Sequence, residues 1–476
     1  MLLKDLISTE NSTLQSLEVK GVTCDSSAVQ QGFVFVCIKG TRFDGHSFAE
    51  KALQSGAVAV VVERDMGLEN QIVVTDTHAA YATICAKWFG NPADALTLVG
   101  VTGTNGKTSV TYMMKKILEA AGHKVGLVGT IQNMIGDEVI ASQNTTPNAY
   151  ELNSLFQRMK EEGCSHVVME VSSHALDQCR VYQLNFDVAV FTNLTQDHLD
   201  YHGTMENYLA AKKRLFSMCK TAVINKDDEY AAELVNGLDC EIVTYSTGND
   251  ATFSAKAIQY KPAQVEYELV SNTILRHIRL HVGGQFSVYN SMASAIAAVQ
   301  LGVSDELVAK ALDSLKGVKG RAEVVPTDRD FTVIIDYAHT PDGLKNILKT
   351  FKECKKNRLI VLFGCGGDRD KTKRPLMGGV AVRLADYCII TSDNPRTEDP
   401  SAIIEDILTG VSGVKTPYKV IENRIEAIRY AISMAEKDDI IVLAGKGHET
   451  YQILKEGTIH LDEREVVREA LAKLKD

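Results

Sequence analysis

No stretch of this 476-residue chain is apolar for long enough to cross a bilayer; the longest run, around Ala57 to Val62, has the length of a buried strand. The residues after Met1 (Leu-Leu-Lys-Asp) lack the basic segment and apolar core of a secretory signal. The ten cysteines include no C-x-x-C pair and no zinc-type spacing. They read as reduced thiols of a cytoplasmic protein, not as a disulfide or metal framework. Positive charge is also in short supply: 51 Lys and Arg stand against 61 Asp and Glu, a net charge of −10. That balance argues against a nucleic-acid partner held by broad phosphate neutralisation, although backbone amides and a few lysines can still hold one phosphate group locally. There is no internal repeat and no low-complexity tract. What is present is ordinary for a globular protein, with 45% hydrophobic and 24% charged residues and a length that suggests about three domains.

Two sites look like boundaries. Gly90-Asn91-Pro92 lies between a helical stretch (Thr77 to Phe89) and a strand-like run (Leu96 to Val101), and Lys316 to Gly320 separates a helical segment from a new series of strands. The expected domains are therefore 1–90, 91–318 and 319–476. The first mixes short β runs with helical patches and reads as a small α/β domain. The second alternates strand and helix, with strands at Lys124 to Val128, His166 to Glu170 and Val188 to Phe191, as in a parallel sheet covered by helices. Residues 250–285 look more antiparallel and suggest an inserted ribbon. The third resumes the alternation at Phe331 to Ile335, Arg358 to Phe363, Tyr387 to Thr391 and Ile440 to Leu443, which predicts a Rossmann-like doubly wound domain with ligands at its strand carboxyl ends.

The strongest local signal is Gly103-Thr104-Asn105-Gly106-Lys107-Thr108, after a strand and before the helical stretch Ser109 to Ala121. Glycines let backbone amides turn toward phosphate oxygens, and a helix N-terminus adds a favourable dipole. Lys107 can reach the β/γ-phosphates of a nucleotide, and the Thr108 hydroxyl can ligate Mg²⁺. Val101 stands where the common phosphate-loop pattern has its first glycine. By itself such a loop leaves GTPase, motor, kinase and ligase open.

Gly103–Thr108 resembles the ATP loop of Mur ligases and of their relative folylpolyglutamate synthetase. More family motifs follow in order: Met169 to His174, Thr192 to Asp200, Ala210-Ala211-Lys212, Tyr289-Asn290 opening a helix, Gly320 to Glu323, and Asp336 to Pro341. The resemblance implies three domains: an N-terminal uridine-nucleotide domain, a central phosphate-loop domain and a C-terminal amino-acid domain. It implies an amide ligase that uses ATP and Mg²⁺. Gly103, Thr104, Asn105, Gly106, Lys107, Thr108, Ser109, Asn290, Arg321, Asp336 and His339 are then the ATP contacts. Lys107, Glu170, His198 and Lys212 are the catalytic set, and Thr108, Glu170, His198 and Lys212, the last as a carbamate, serve the metal. The chemistry is coherent, because a γ-phosphoryl group must approach a carboxylate and both oxyanions need neutralising.

Two outer regions bear on the substrate. Cys24-Asp25-Ser26-Ser27 resembles the family's uridine-diphosphate turn, with Ser26 kept and Ser27 where arginine is usual; Gly40 to His46 matches the next uridine-side loop loosely. Asn144, Thr145, Thr146, Ser172, Gln178 and Arg180 match the muramoyl-dipeptide positions. In the last domain, Arg369, Asp393-Asn394-Pro395-Arg396, and Gly445 to Glu449 follow successive strands. Arg396 suits the far carboxylate of diaminopimelate and Glu449 its far ammonium. The resemblance therefore implies addition of meso-2,6-diaminopimelate to the D-glutamate of UDP-N-acetylmuramoyl-L-alanyl-D-glutamate, by a cytoplasmic monomer with no nucleic-acid or membrane partner. The competing readings are a lysine-adding ligase, a folylpolyglutamate synthetase-like ligase, a phosphate-loop switch or motor, and an inactive homologue.

Overall fold

The computed structural model describes residues 1–40, 43–248, 250–261, 263–411 and 413–474; Thr41 and Arg42 of the uridine-side loop lie outside them. Strands with apolar side chains on both faces must be covered on both faces. Accordingly Val34 to Val36 and Ala59 to Val62 are wholly or almost wholly buried. They lie at the middle of a four-stranded parallel sheet, Gly21–Thr23, Phe33–Val36, Ala59–Val62 and Gln71–Val73. Helix Thr77–Trp88 follows, capped by Asp76, whose carboxylate accepts from Ala79 N.

The central sheet has eleven strands. Seven are parallel, in spatial order Phe253–Lys261, Glu241–Ser246, Cys219–Asn225, Phe186–Phe191, Thr97–Thr102, His166–Glu170 and Val125–Val128. Antiparallel strands extend both edges. Over 250–285 the expected antiparallel pairing is present, Phe253–Lys261 with Gln264–Val270 and that strand with Leu275–Leu280, but the inserted ribbon is corrected: Phe253–Lys261 pairs in parallel with Glu241–Ser246, so the three strands continue the central sheet. Val265, Tyr267 and Leu269 are buried while the residues between them are half exposed, the alternation of a strand with one covered face. Tyr267 Oη lies 2.9 Å from Ser291 Oγ, on the helix that covers it. That helix is Gln285–Gln300, so Asn290 lies in its second turn and does not open it. No side chain caps the helix, which leaves its start unmarked in the sequence.

The C-terminal sheet runs Glu323–Val325, Thr332–Asp336, Ile440–Ala444, Leu359–Phe363, Tyr387–Ile390 and Tyr418–Val420; only the first pairing is antiparallel. A hairpin, Tyr451–Leu454 with Gly457–His460, was not anticipated from the sequence. Between the central and C-terminal sheets, Gly320 has φ +70°, and a Cβ there would meet His448 N at 2.1 Å. The chain turning into the last domain thus packs directly on the Gly445–Glu449 loop. Among the described residues, no helix is long and apolar enough to cross a membrane.

Candidate active site

Strand Thr97–Thr102 ends in the phosphate loop and helix Lys107–Ala120 begins with its lysine. Gly103 (φ +146°) and Gly106 (φ +90°) admit no side chain: a Cβ would meet Thr192 Oγ1 at 1.9 Å and Asn290 Oδ1 at 2.4 Å. The neighbouring Thr192–Thr195 segment braces the loop. Thr104 N donates to Asn193 O at 2.8 Å, Asn105 N to Asn193 Oδ1 at 2.9 Å, and Thr195 N to Thr104 Oγ1 at 3.0 Å. Lys107 Nζ donates to Gly103 O and Thr104 O at 2.8 and 2.9 Å, which folds it over the loop. Arg321 crosses from the last domain, its Nη2 donating to Thr108 Oγ1 at 3.0 Å while its guanidinium stands 4.8 Å from the centre of the Tyr337 ring. Asn105 Nδ2 meets Asp342 Oδ2 at 3.2 Å, a second link between the two domains.

Glu170 is buried at the end of its strand. Thr130 N donates to Oε1 at 2.9 Å, and Thr130 Oγ1 and Thr108 Oγ1 donate to Oε2 at 3.0 and 3.1 Å. A hydroxyl and a carboxylate so placed are hard oxygen donors that fit Mg²⁺. The dipeptide candidates gather beside this carboxylate. Thr146 Oγ1 donates to Glu170 O at 2.8 Å, and Thr145 Oγ1 lies 3.0 Å from Thr130 Oγ1. Arg180 donates to Thr146 O at 2.8 Å and to Gln178 Oε1 at 2.7 Å, and Ser172 caps the helix Ser173–Asp177. Asn144 is exposed in the same loop. Ser26 lies apart in the N-terminal domain, where Ser27 N and Oγ both donate to Asp25 Oδ1 at 2.8 and 2.7 Å.

Lys212 and Lys213 differ sharply. Lys213 reaches outward to Glu233 O at 3.2 Å and to Asn236 O, whereas Lys212 is 1% exposed, its Nζ 4.4 Å from the Tyr208 ring centre. Burial, and secondarily the charge of Lys107, hold the Lys212 amine well below its usual pKa; Asp197 opposes them. His198, with φ +54°, precedes the helical turn Leu199–His202 and stands 3.4 Å from Asp197 Oδ2 and 4.9 Å, ring to ring, from His174. Among the described residues no group of three or more His, Cys, Asp or Glu side chains is assembled for a metal.

In the last domain three strand exits meet. Arg396 (φ +54°) follows Tyr387–Ile390 and donates from Nη1 to Gly367 O at 2.8 Å. Glu449 follows Ile440–Ala444, its Oε2 accepting from Asn394 Nδ2 at 3.0 Å and from the fully buried Lys446 at 2.5 Å. Gly445 has φ +111° and a Cβ there would meet Asp393 Oδ2 at 2.6 Å. Arg369 is exposed, and Pro395 shapes the turn, its carbonyl close enough to exclude any side chain at Gly367.

Two cavities gather part of this set. One of about 500 Å³ is lined by Asn105, Gly106, Ser109, Asn290, Arg321 and Asp336. The other, about 1110 Å³, is lined by His198, Arg369, Asp393, Asn394, Arg396 and Glu449. Thr195, Tyr337, His339 and Asp342 line both, so the two share a wall. Ser26, Lys107, Glu170, Lys212 and the dipeptide candidates line neither.

Three family models match the chain in succession: the Mur ligase family, catalytic domain over residues 18–88, the Mur ligase middle domain over 101–298, and the Mur ligase, glutamate ligase domain over 320–447. It is 50% identical over 462 residues to the UDP-N-acetylmuramoyl-L-alanyl-D-glutamate--2,6-diaminopimelate ligase of Caldanaerobacter subterraneus subsp. tengcongensis, covering 96% of each chain. The chain belongs to the Mur ligase family. A Clostridium acetobutylicum protein, UDP-N-acetylmuramoyl-L-alanyl-D-glutamate--2,6-diaminopimelate ligase 1, is 46% identical with 96% of each chain covered. A solved structure of a UDP-N-acetylmuramoyl-L-alanyl-D-glutamate--2,6-diaminopimelate ligase superimposes with a TM-score of 0.74 at 34% identity, covering 100% of this Mur ligase and 99% of that chain.

Sequence reasoning missed Thr130, which donates twice to Glu170 of this Mur ligase, and Lys446 as the group that holds Glu449. Thr130 sits just past the strand Val125–Val128, and the rule that ligands gather at strand carboxyl ends was the available signal for it. Lys446 stood within a recognised motif, but nothing local showed that its side chain turns inward.

Proposed function

We propose that this Mur ligase joins meso-2,6-diaminopimelate to the D-glutamate of UDP-N-acetylmuramoyl-L-alanyl-D-glutamate, with release of ADP and phosphate, as a cytoplasmic monomer serving peptidoglycan precursor synthesis. The observation that carries this reading is the pairing of Arg396 and Glu449 on one cavity that shares a wall with the phosphate-loop cavity. In this reading residues 1–90 hold the uridine end, 91–318 the nucleotide and dipeptide, and 319–476 the amino acid. The γ-phosphoryl group passes to the D-glutamate carboxylate, making an acyl phosphate. The amine then attacks the acyl carbon: a C–N bond forms, the C–O bond to phosphate breaks, and the amine loses a proton. Lys107 and Arg321 supply positive charge where phosphate oxygens gather. Arg180, braced by Gln178, suits a carboxylate of the dipeptide. Thr108 and Glu170 would hold Mg²⁺, which supplies further neutralisation of the phosphates. Closure of the last domain over the loop, through Arg321 and Asp342, shields the acyl phosphate from water.

We read Lys212 as a carbamate in the working enzyme. Burial lowers the pKa of the Lys212 amine and so favours its neutral form, the one nucleophilic toward CO₂; an N–C bond forms, one proton leaves, and the neutral amine becomes an anion. Lys212→Ala is expected to be inactive and partly rescued by acetate or formate, which re-supply a carboxylate. An unmodified Lys212 in a fully active, well-resolved crystal would overturn this role.

The reading as a whole is tested by competition between meso-diaminopimelate and lysine, with ATP and the UDP-dipeptide fixed. A site built for a polar group rejects an analogue lacking it by roughly 10⁴–10⁵, so diaminopimelate should prevail by several orders of magnitude. Comparable efficiency with lysine would leave a lysine-adding ligase as the better description.

A further inference from the structure

The loops carrying Arg396 and Glu449 leave strands that are not neighbours: Leu359–Phe363 lies between Tyr387–Ile390 and Ile440–Ala444. Pairing with Leu359–Phe363 spaces the two strands but ends at Ile390 and Leu443, so the segments that lead from them into the loops need a further tie. Arg424, at the first turn of helix Arg424–Ser433 and 1% exposed, spans the gap. Its Nη1 donates to Ser392 O at 3.3 Å, one residue before Asp393, and its Nη2 to Ala444 O at 2.8 Å, one residue before Gly445. Nε donates to Glu463 Oε1 at 2.8 Å, and the Glu463 side chain is wholly buried at the start of helix Glu463–Lys473. Among the described residues Glu463 Oε2 has no hydrogen-bond partner. A buried ion pair is weak evidence of net stabilisation, and an unpaired buried oxygen adds cost, so the arrangement points to a role in geometry.

We propose that Arg424 and Glu463 are a positioning pair that sets the distance between the carboxylate-binding and ammonium-accepting loops of the amino-acid site. The fork of a guanidinium can serve two carbonyls and a carboxylate at once; a lysine ammonium cannot reach all three with that planar geometry. The pair touches no substrate and acts through Ser392 and Ala444. This rests on Arg396 and Glu449 being the amino-acid contacts.

The test uses the full-length enzyme with Arg424→Lys and, because that variant is the more exposed to folding defects, Glu463→Gln, which keeps an oxygen for Nε but removes the charge. Thermal midpoint, kcat, and KM for diaminopimelate, ATP and the UDP-dipeptide are measured together. A misplacement of about 1 Å costs on the order of a hundredfold, so the diaminopimelate KM should rise by about tenfold or more in Arg424→Lys and less in Glu463→Gln, with the other two KM values within about twofold. A lowered thermal midpoint with all three KM values unchanged, or raised together, would overturn the proposal and leave a purely structural pair. If Arg424→Lys raises the diaminopimelate KM while Arg396→Ala leaves it untouched, the positioning pair stands and the contact assigned to Arg396 fails.

Discussion

Lys107→Ala is expected to abolish product formation. The Nζ of Lys107 lies against Gly103 O and Thr104 O, so in this structure the ammonium is already directed over the cradle that Gly103 and Gly106 leave open. No other lysine belongs to the loop. Arg321 approaches from the other domain, but its Nη2 is engaged at Thr108 Oγ1. Removing one neutral donor to a developing oxyanion costs on the order of 10²–10³ in rate; burial lowers the pKa of the Lys107 amine, but phosphate oxygens in the cradle favour its ammonium form, so the loss should reach at least the upper end of that range. ADP release and tripeptide product, followed separately, check it. Turnover within a few-fold of wild type would remove Lys107 from the chemistry.

Arg396→Ala should weaken catalytic efficiency for diaminopimelate by well over tenfold. One end of Arg396 Nη1 is held by Gly367 O, which orients the guanidinium and leaves its fork to face the cavity shared with Glu449. Without it, the far carboxylate of the substrate is desolvated with no partner. Truncating one member of a buried, hydrogen-bonded charge pair costs on the order of 2–5 kcal/mol, and about 1.4 kcal/mol is tenfold. The KM values for ATP and the UDP-dipeptide should barely move, because their candidate contacts lie on other loops. An equal loss across all three substrates would indicate a folding defect and not a lost contact. Lysine, which lacks the second carboxylate, should lose far less than diaminopimelate, and this comparison separates the charge effect from any change in cavity shape.

The two substitutions probe different kinds of legibility. The phosphate loop is a local object: a strand, two glycines at positive φ, a lysine and a helix start, all within a dozen residues. Its identity could be read because nothing distant is needed to make it. The buried parallel strands were legible for the same reason, as continuous apolar runs such as Val188 to Phe191. Edge strands were not. Gln264–Val270 has one face covered and one half exposed, a pattern shared by a free ribbon and a sheet edge, and only its register with Phe253–Lys261 makes it part of the central sheet. The start of helix Gln285–Gln300 was misread at Asn290 because no capping side chain marks it.

The sequence by itself determined the alternation of strands and helices and the phosphate loop, and its resemblance to Mur ligases implied the class of chemistry, the three domains and the candidate residues. Tertiary structure decided what those residues face. It separated buried Lys212 from surface Lys213, though they are adjacent. It placed Thr130 on Glu170 across 40 residues, and joined Arg321 to Thr108 across 213. It also set Arg424 on Glu463, 39 residues away, to bridge two strand ends that never pair. Contacts of that kind depend on burial and on the order of strands in a sheet, and neither is a property of any local stretch of residues.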